Sequence, residues 1–401
     1  MSLRNAGHQL TLLKGSQAFF DALIAAIDDS AHEVRLETYI FYPDAAVVKV
    51  VQALIRAAQR GVLVDLVFDG VGTPSVPLQW QQEFAQAGVQ WAIFRPLGTL
   101  GLLSPRHWRR LHRKLCVVDG QLAFCGGINL LDDRVDLHHG ALQHPRLDFA
   151  VRVSGPLVRL VHAAMVQFRR RLQVTWPVKA VDLTSDWEAL QGAAQGSKLA
   201  TLNAQAQFNG VQAELVLRDN VRHHVRIERA YRHALGLARK EVLLANAYFL
   251  PGRKMRNSLI HAAQRGVRVR LLLQGRYEYF MQFHATRALY DSLLAAGIEI
   301  YEYRPSFLHA KVAVIDGYWV TVGSSNIDPL SLLLAREANV VVQDAAFALA
   351  LKQELEWSVS RDAVRVDPLI HSQRSWHQRL LDRLALLLMR STLFLIGLRR
   401  Y

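Results

Sequence analysis

Two histidines, each followed two positions later by a lysine, are the residues of this chain best equipped for chemistry. The first set is His112 and Lys114, then Asp119, then Gly126-Gly127-Ile128-Asn129. The second is His309 and Lys311, then Asp316, then Gly323-Ser324-Ser325-Asn326. Each matched pair, from His112 and His309 to Asn129 and Asn326, lies 197 positions apart. One such set is weak as a signal; two sets with identical internal spacing are not a chance event.

These residue types suit phosphoryl chemistry. Residues i and i+2 of a strand share a face, so each histidine is expected beside its own lysine. An ammonium next to a phosphate offsets its charge and stabilises the transition state. The amides of Asn129 and Asn326 can donate to phosphate oxygens. One imidazole can attack phosphorus while the other protonates the leaving alkoxide and later takes a proton from the incoming alcohol. A neutral imidazole needs a carboxylate to fix its tautomer. Asp148 in LDFAVRVSGP and Glu337 in REANVVV are the candidates. Asp119 and Asp316 sit in Asp-Gly turns, where a structural role is expected rather than chemistry.

The elements that must position these groups are also written twice. AAQRG at 57–61 recurs at 262–266, followed by VLVDLVFDG and VRVRLLLQG. FAQAGVQWAIFRP at 84–96 matches LLAAGIEIYEYRP at 293–305, and ETYIFYP at 37–43 matches ANAYFLP at 245–251. Each copy reads as a helix closed by glycine and then a buried strand. Each motif reads as two strands around an Asp-Gly turn. The fold class expected is therefore α/β, two homologous domains with mixed sheets flanked by helices, related by a pseudo-two-fold axis with the active site at their interface. The expected domains are 1–174 and 201–372, with a turn-rich linker at 175–200 and an apolar, basic helical tail at 373–401.

Composition bounds the partners. The 401 residues are 51% apolar with a net charge of +14, enough for a large core and a surface that calls for anionic partners. Nucleic acid and anionic lipid are equally allowed by that number. The two cysteines, Cys116 and Cys125, lie in apolar runs and are expected reduced and buried. The N-terminal stretch lacks a signal-peptide apolar core, and no run reaches the roughly 18 apolar residues of a membrane span.

Both H-x-K-x4-D-x6-G-[GS]-x-N motifs resemble those of the phospholipase D superfamily. ETYIFYPD, AAQRGVLVDLVFDGVGT, RLHRKLCVVDGQLAFCGGIN and VGSSNIDPLS are most similar to the bacterial cardiolipin synthases, especially the shorter type without N-terminal transmembrane helices. The resemblance covers nearly all of residues 8–360. It implies two domains sharing one site, a covalent phosphohistidine intermediate, and no cofactor or metal. It implies His112 as nucleophile, His309 as general acid/base, Lys114, Lys311, Asn129 and Asn326 as phosphate ligands, and Asp148 and Glu337 as orienting groups. Gly127 departs from the commoner serine, which Ser324 keeps. The near symmetry of the two copies does not itself assign nucleophile and acid.

Lipid is favoured over nucleic acid by two features. Pro96 and His112 are 16 positions apart, whereas Pro305 and His309 are 4 apart. The extra segment, LGTLGLLSPRHWRRL, is apolar and then carries Arg106, His107, Trp108, Arg109 and Arg110. With Arg113, the residues Trp108 and Arg110 are expected to bind phosphate or lipid, as is Ser324. The C-terminal stretch LLDRLALLLMRSTLFLIGLRRY suits a helix lying in a membrane interface, or a helix packed on the domain. The aromatics of RYEYFMQFHATR, 276–287, can border an acyl-chain entrance or pack on their own core. The expected partners are an anionic phospholipid, phosphatidylglycerol, and a membrane surface, with no nucleic acid; oligomeric state is not legible. The expected location is peripheral, on the cytoplasmic face of a bacterial inner membrane.

Overall fold

A computed structural model describes residues 5–97, 101, 108–175, 206–219, 225–328 and 335–395. The expected linker, apart from Thr175, falls outside them, as do Arg106 and His107. The first half runs β1 (Asn5–Lys14), α1 (Gly15–Asp28), β2 (Glu33–Thr38), α2 (Ala45–Gln59), β3 (Leu63–Asp69), α3 (Leu78–Ala87) and β4 (Gln90–Phe94). It continues with β5 (Arg110–Leu111), β6 (Lys114–Val118), β7 (Leu122–Gly126), a small hairpin of β8 (Val135–Asp136) and β9 (Gly140–Ala141), β10 (Phe149–Ser154) and α4 (Leu157–Thr175). The second half runs β11 (Gln207–Arg218), α5 (Arg226–Leu237), β12 (Glu241–Asn246), α6 (Arg253–Gln264), β13 (Arg268–Gln274), α7 (Phe280–Leu294) and β14 (Glu299–Tyr303). It ends with β15 (Lys311–Ile315), β16 (Trp319–Gly323), β17 (Ala335–Gln343), α8 (Ala345–Arg361), β18 (Ala363–Arg365), α9 (Pro368–Ser372) and α10 (Trp376–Leu395).

The repeat becomes one continuous sheet. Its order is β18-β14-β13-β12-β15-β16-β17-β11-β1-β10-β7-β6-β2-β3-β4. Apart from β18, the path reads alike from either end, with β1 and β11 antiparallel at the centre. In each half the first three repeat strands are parallel, joined by helices, and the motif hairpin runs antiparallel to them. Both hairpins turn through an aspartate and a glycine with positive φ, at Asp119-Gly120 and Asp316-Gly317, the combination that an Asp-Gly pair tolerates.

Three large apolar clusters follow from this layering. α1, α2 and α3 cover one face of the first half, and α5, α6 and α7 do the same for the second. The third cluster is shared, with Val117, Phe149 and Val151 from one half and Val312, Val340 and Val342 from the other, under α4 and α8. Cys116 and Cys125 are buried and free, and they belong to different clusters on opposite faces of the sheet. Among the described residues no helix is long and apolar enough to cross a membrane.

Candidate active site

Each histidine sits just before its motif strand rather than within it. The reason is a backbone exchange between the halves. β5 pairs in parallel with β17, and the His112 N–H donates to the Arg336 carbonyl at 3.0 Å. Reciprocally, Leu147 bridges to Leu308, and the His309 N–H donates to the Leu147 carbonyl at 2.9 Å. Each half thus holds the other's histidine by the main chain.

The carboxylates cross in the same way. His112 Nδ1 lies 3.0 Å from Glu337 Oε1, a residue of the second half. His309 Nδ1 lies 2.6 Å from Asp148 Oδ2, a residue of the first. An ionised carboxylate at Nδ1 favours the tautomer that leaves Nε2 bare, which is the state expected of His112 beside Glu337. The histidine side chains are 15% and 19% exposed, so both rings remain reachable from solvent. Lys114 and Lys311 open β6 and β15, and each ammonium donates to the carbonyl of its own histidine.

The electrostatics join the two sets into one site. Burial, then Lys311, Lys114, Arg146 and His112, hold His309 well below the usual imidazole range. Burial also lowers His112, and Lys114 and Lys311 add to the effect against the pull of Glu337. Burial pushes Lys114 down to about 7 and Lys311 down to about 8. Each motif's histidine and lysine thus feel the charges of the other motif, while the crossed hydrogen bonds to Glu337 and Asp148 bind the two halves together.

The two carboxylates are not equivalent. Glu337 stays below the usual carboxylate range: burial opposes this, but His112, Lys114 and Arg218 outweigh it. The Ser324 hydroxyl also donates to Glu337 at 2.5 Å. Asp148 is pushed up to about 7 by burial, with Lys311 and the Phe149 N–H only partly offsetting it. The position matching Ser324 is Gly127, and a Cβ there would stand 2.3 Å from Asp148 Oδ1. Phe149 pairs with Lys14, and Ala338, the residue matching Phe149, pairs with Leu217. The counterpart of Arg218 is therefore Gly15. The second half gives its carboxylate a hydroxyl and a guanidinium, where the first half has two glycines.

Other expected site residues fall as follows. Asn129 is buried, and its Oδ1 accepts from the Ile40 N–H at 3.2 Å, which leaves the NH2 as donor. Asn326 is buried at the matching place. Asp119 accepts from the N–H groups of Ala31, His32 and Glu33, and Asp316 from those of Arg239, Lys240 and Glu241. Arg110 reaches Asp69 and the Arg95 carbonyl, and Trp108 is half-buried. Arg113 corrects the expectation placed on it. Lying between His112 and Lys114, it points the other way, into a buried pair with Glu37 over the Phe168 ring. Its guanidinium is therefore spent on packing α4, not offered to phosphate.

Several site residues carried no repeated signal. The Tyr39 ring stands 4.9 Å from the His112 ring and beneath the Lys114 ammonium, yet its counterpart in the second copy is Ala247. Arg146, Arg218 and the pair Tyr248–Glu278, joined at 2.9 Å, likewise occur in one half only.

The chain matches the family described as "Cardiolipin synthase, PLD-like domain" over residues 23–142 and 231–359, the two repeats. It is 36% identical over 374 residues to cardiolipin synthase B of Salmonella typhi, covering 92% of this chain and 85% of that protein. Identity to cardiolipin synthase B of Escherichia coli K12 is 34% with the same coverage. Its fold is similar to the crystal structure of phosphatidylserine synthase from Haemophilus influenzae, at 14% identity, with a TM-score of 0.67 over 99% of this chain and 97% of that one. With both repeats matched and 85% of the relatives' length covered, this chain belongs to the PLD-like cardiolipin synthase family.

Proposed function

We propose that this enzyme makes cardiolipin from two phosphatidylglycerol molecules through a phosphohistidine. His112 Nε2 attacks phosphorus, forming the P–N bond as the P–O bond to the headgroup glycerol breaks. His309 gives that leaving oxygen a proton. A second phosphatidylglycerol then loses its hydroxyl proton to His309, and its oxygen attacks the phosphohistidine, freeing His112. Atoms balance: two phosphatidylglycerols become cardiolipin and glycerol. Lys114, Lys311, Asn129 and Asn326 hold the phosphate oxygens, and a water in place of the second lipid would give hydrolysis instead.

The observation that supports this reading is the crossed pair of imidazoles, each oriented by the opposite half, with unequal carboxylates behind them. Glu337 is held ionised, the better partner for a histidine that must carry positive charge when phosphorylated. Asp148 can itself take a proton, which suits the histidine that gives and takes one. A bound phosphodiester would also offset the lysine charges that hold His309 down, restoring its proton affinity when an acid is needed. The phospholipid would be met at a membrane surface, on the cytoplasmic face of a bacterial inner membrane.

The test is product analysis after incubation with phosphatidylglycerol vesicles and chelator. Cardiolipin and glycerol are expected in equal amounts, and His112→Ala should lower the rate at least about 10³-fold. Cardiolipin formation unaffected by that change would sink the mechanism. Plasmid cleavage that needs both histidines, without lipid turnover, would move the assignment to a nuclease.

A further inference from the structure

α10 presents three different faces. Asp382 and Ala385 are buried and, with Leu386 and Met389, pack on the second half of the molecule. The exposed side carries Trp376, Leu380, Leu381, Leu384, Leu387 and Leu388, at helical intervals of three and four. Along one border of that apolar side runs an exposed ridge of Arg379, Arg383 and Arg390. Burial, and then the charge of Arg256 on α6, lower Arg390.

The helix is fixed rather than loosely attached. Buried Asp382 receives His284 of α7 at 2.7 Å and Arg374 at 2.6 Å. The His284 ring in turn packs at a tilt against Phe280, which with Tyr277 and Tyr279 is exposed at the start of α7. Tyr279 lies against Tyr248, whose hydroxyl donates to Glu278, a carboxylate that acts on Lys311. A run of neighbours therefore leads from the packed side of α10 through His284, Phe280, Tyr279 and Tyr248 to Glu278, whose charge is felt at Lys311.

We infer that the exposed face of α10, with its arginine ridge, is the surface by which this protein docks on an anionic lipid bilayer, and that the aromatic residues at the start of α7 extend that surface to the mouth of the active site. The occupant follows from the chemistry. A protein partner would need acidic side chains matched to each arginine. A bilayer supplies a continuous apolar layer bordered by phosphates, which is the pattern on the helix. The helix is too polar on its packed side to cross, because Asp382 is already committed to an ion pair. This inference rests on the lipid reading of the active site and adds the geometry of approach.

The test uses the full chain and vesicles of phosphatidylglycerol mixed with phosphatidylcholine, or of phosphatidylcholine alone. Sedimentation should show binding to the anionic vesicles that weakens as salt rises. The triple change Leu384→Gln, Leu387→Gln, Leu388→Gln, all at exposed positions, should cut binding at least about 100-fold. Arg379→Gln with Arg383→Gln and Arg390→Gln should cut it about 100-fold for anionic vesicles and little for neutral ones. Both variants should keep wild-type turnover of a short-chain, monomeric phosphatidylglycerol, which shows that they fold. Unchanged vesicle binding by both variants overturns the docking surface and leaves the proposed activity standing. A wild-type dimer that the leucine changes dissociate would also overturn it, in favour of self-association. Loss of turnover on the monomeric substrate in the wild type itself would instead count against the proposed function.

Discussion

At the residue scale, the pairing of a short carboxylate with glycine and a long one with serine is the feature most open to attack. Asp148 occupies space that a side chain at Gly127 would need, whereas Glu337 reaches out to the Ser324 hydroxyl. Gly127→Ser alone should displace Asp148 and lower kcat about 100-fold, the usual consequence of a catalytic group misplaced by about 1 Å. Adding Asp148→Glu should recover most of the loss, since it recreates the arrangement of the other half. Steady-state kinetics of the single and double variants check this, and a double variant no better than the single one would refute the compensation. The pH profile tests the same site differently. Lys114, pushed down to about 7, and Lys311, pushed down to about 8, bind phosphate only when protonated, that is, below those values. Asp148, near 7, holds the proton of its pair over the same range. kcat/KM on a soluble substrate should therefore fall as pH rises through about 7 to 8, and Lys311→Arg should move part of that limb upward because arginine keeps its charge. His112 must be neutral to attack, and it lies below the usual imidazole value, so the acid limb belongs below about 6.5. A profile flat from pH 7 to 9 would contradict these assignments. The motifs and both histidines were legible in the sequence because the repeat marks them twice, and the two carboxylates were candidates because each opens the apolar strand that follows a motif. Which carboxylate serves which histidine was not, because that depends on a crossing between halves that spacing does not encode. Tyr39 and Arg218 were hidden for the complementary reason: their counterparts are Ala247 and Gly15, so self-comparison passes over them.

At the element scale, the motif aspartates are what locks each hairpin to the strand beside it. Asp119 collects the three N–H groups that open β2, and Asp316 those that open β12. Neither approaches its histidine through these bonds, so both act on catalysis by positioning β6 and β15. Asp119 is buried, and removing its carboxylate strands three donors away from water; Asp119→Ala should cost about 3 kcal/mol. The amides around Asp316 are more exposed and can be rehydrated, so Asp316→Ala should cost about 1 kcal/mol. Thermal unfolding of the two variants, compared at one scan rate, gives the order; an equal or reversed order would contradict this account. The spacing of each aspartate in an Asp-Gly turn was enough to read a structural role. The partners were not readable, since they lie 86 to 88 residues away in the first half and 75 to 77 in the second.

At the scale of the whole molecule, neither repeat holds a finished site. His112 takes its carboxylate and its backbone acceptor from β17, and His309 takes both from the segment entering β10. The central pairing of β1 with β11 and the shared apolar cluster hold the halves in the register that makes this crossing possible. Duplication alone would leave each histidine without its carboxylate; the pseudo-two-fold packing supplies each from the opposite half. The consequence is a sharp expectation about mixtures. A chain with His112→Ala keeps a good second half, and one with His309→Ala keeps a good first half. If halves exchanged between chains, a mixed dimer would regain one intact site. If both halves of each site come from one chain, an equimolar mixture should show no more cardiolipin formation than either variant alone. Co-folding the two variants from denaturant before the assay gives exchange its best opportunity. Recovery toward about a quarter of the wild-type rate after co-folding, one intact site in each mixed dimer and half of all dimers mixed, would mean that the sheet closes between chains, and the site would then have to be assigned to a swapped dimer.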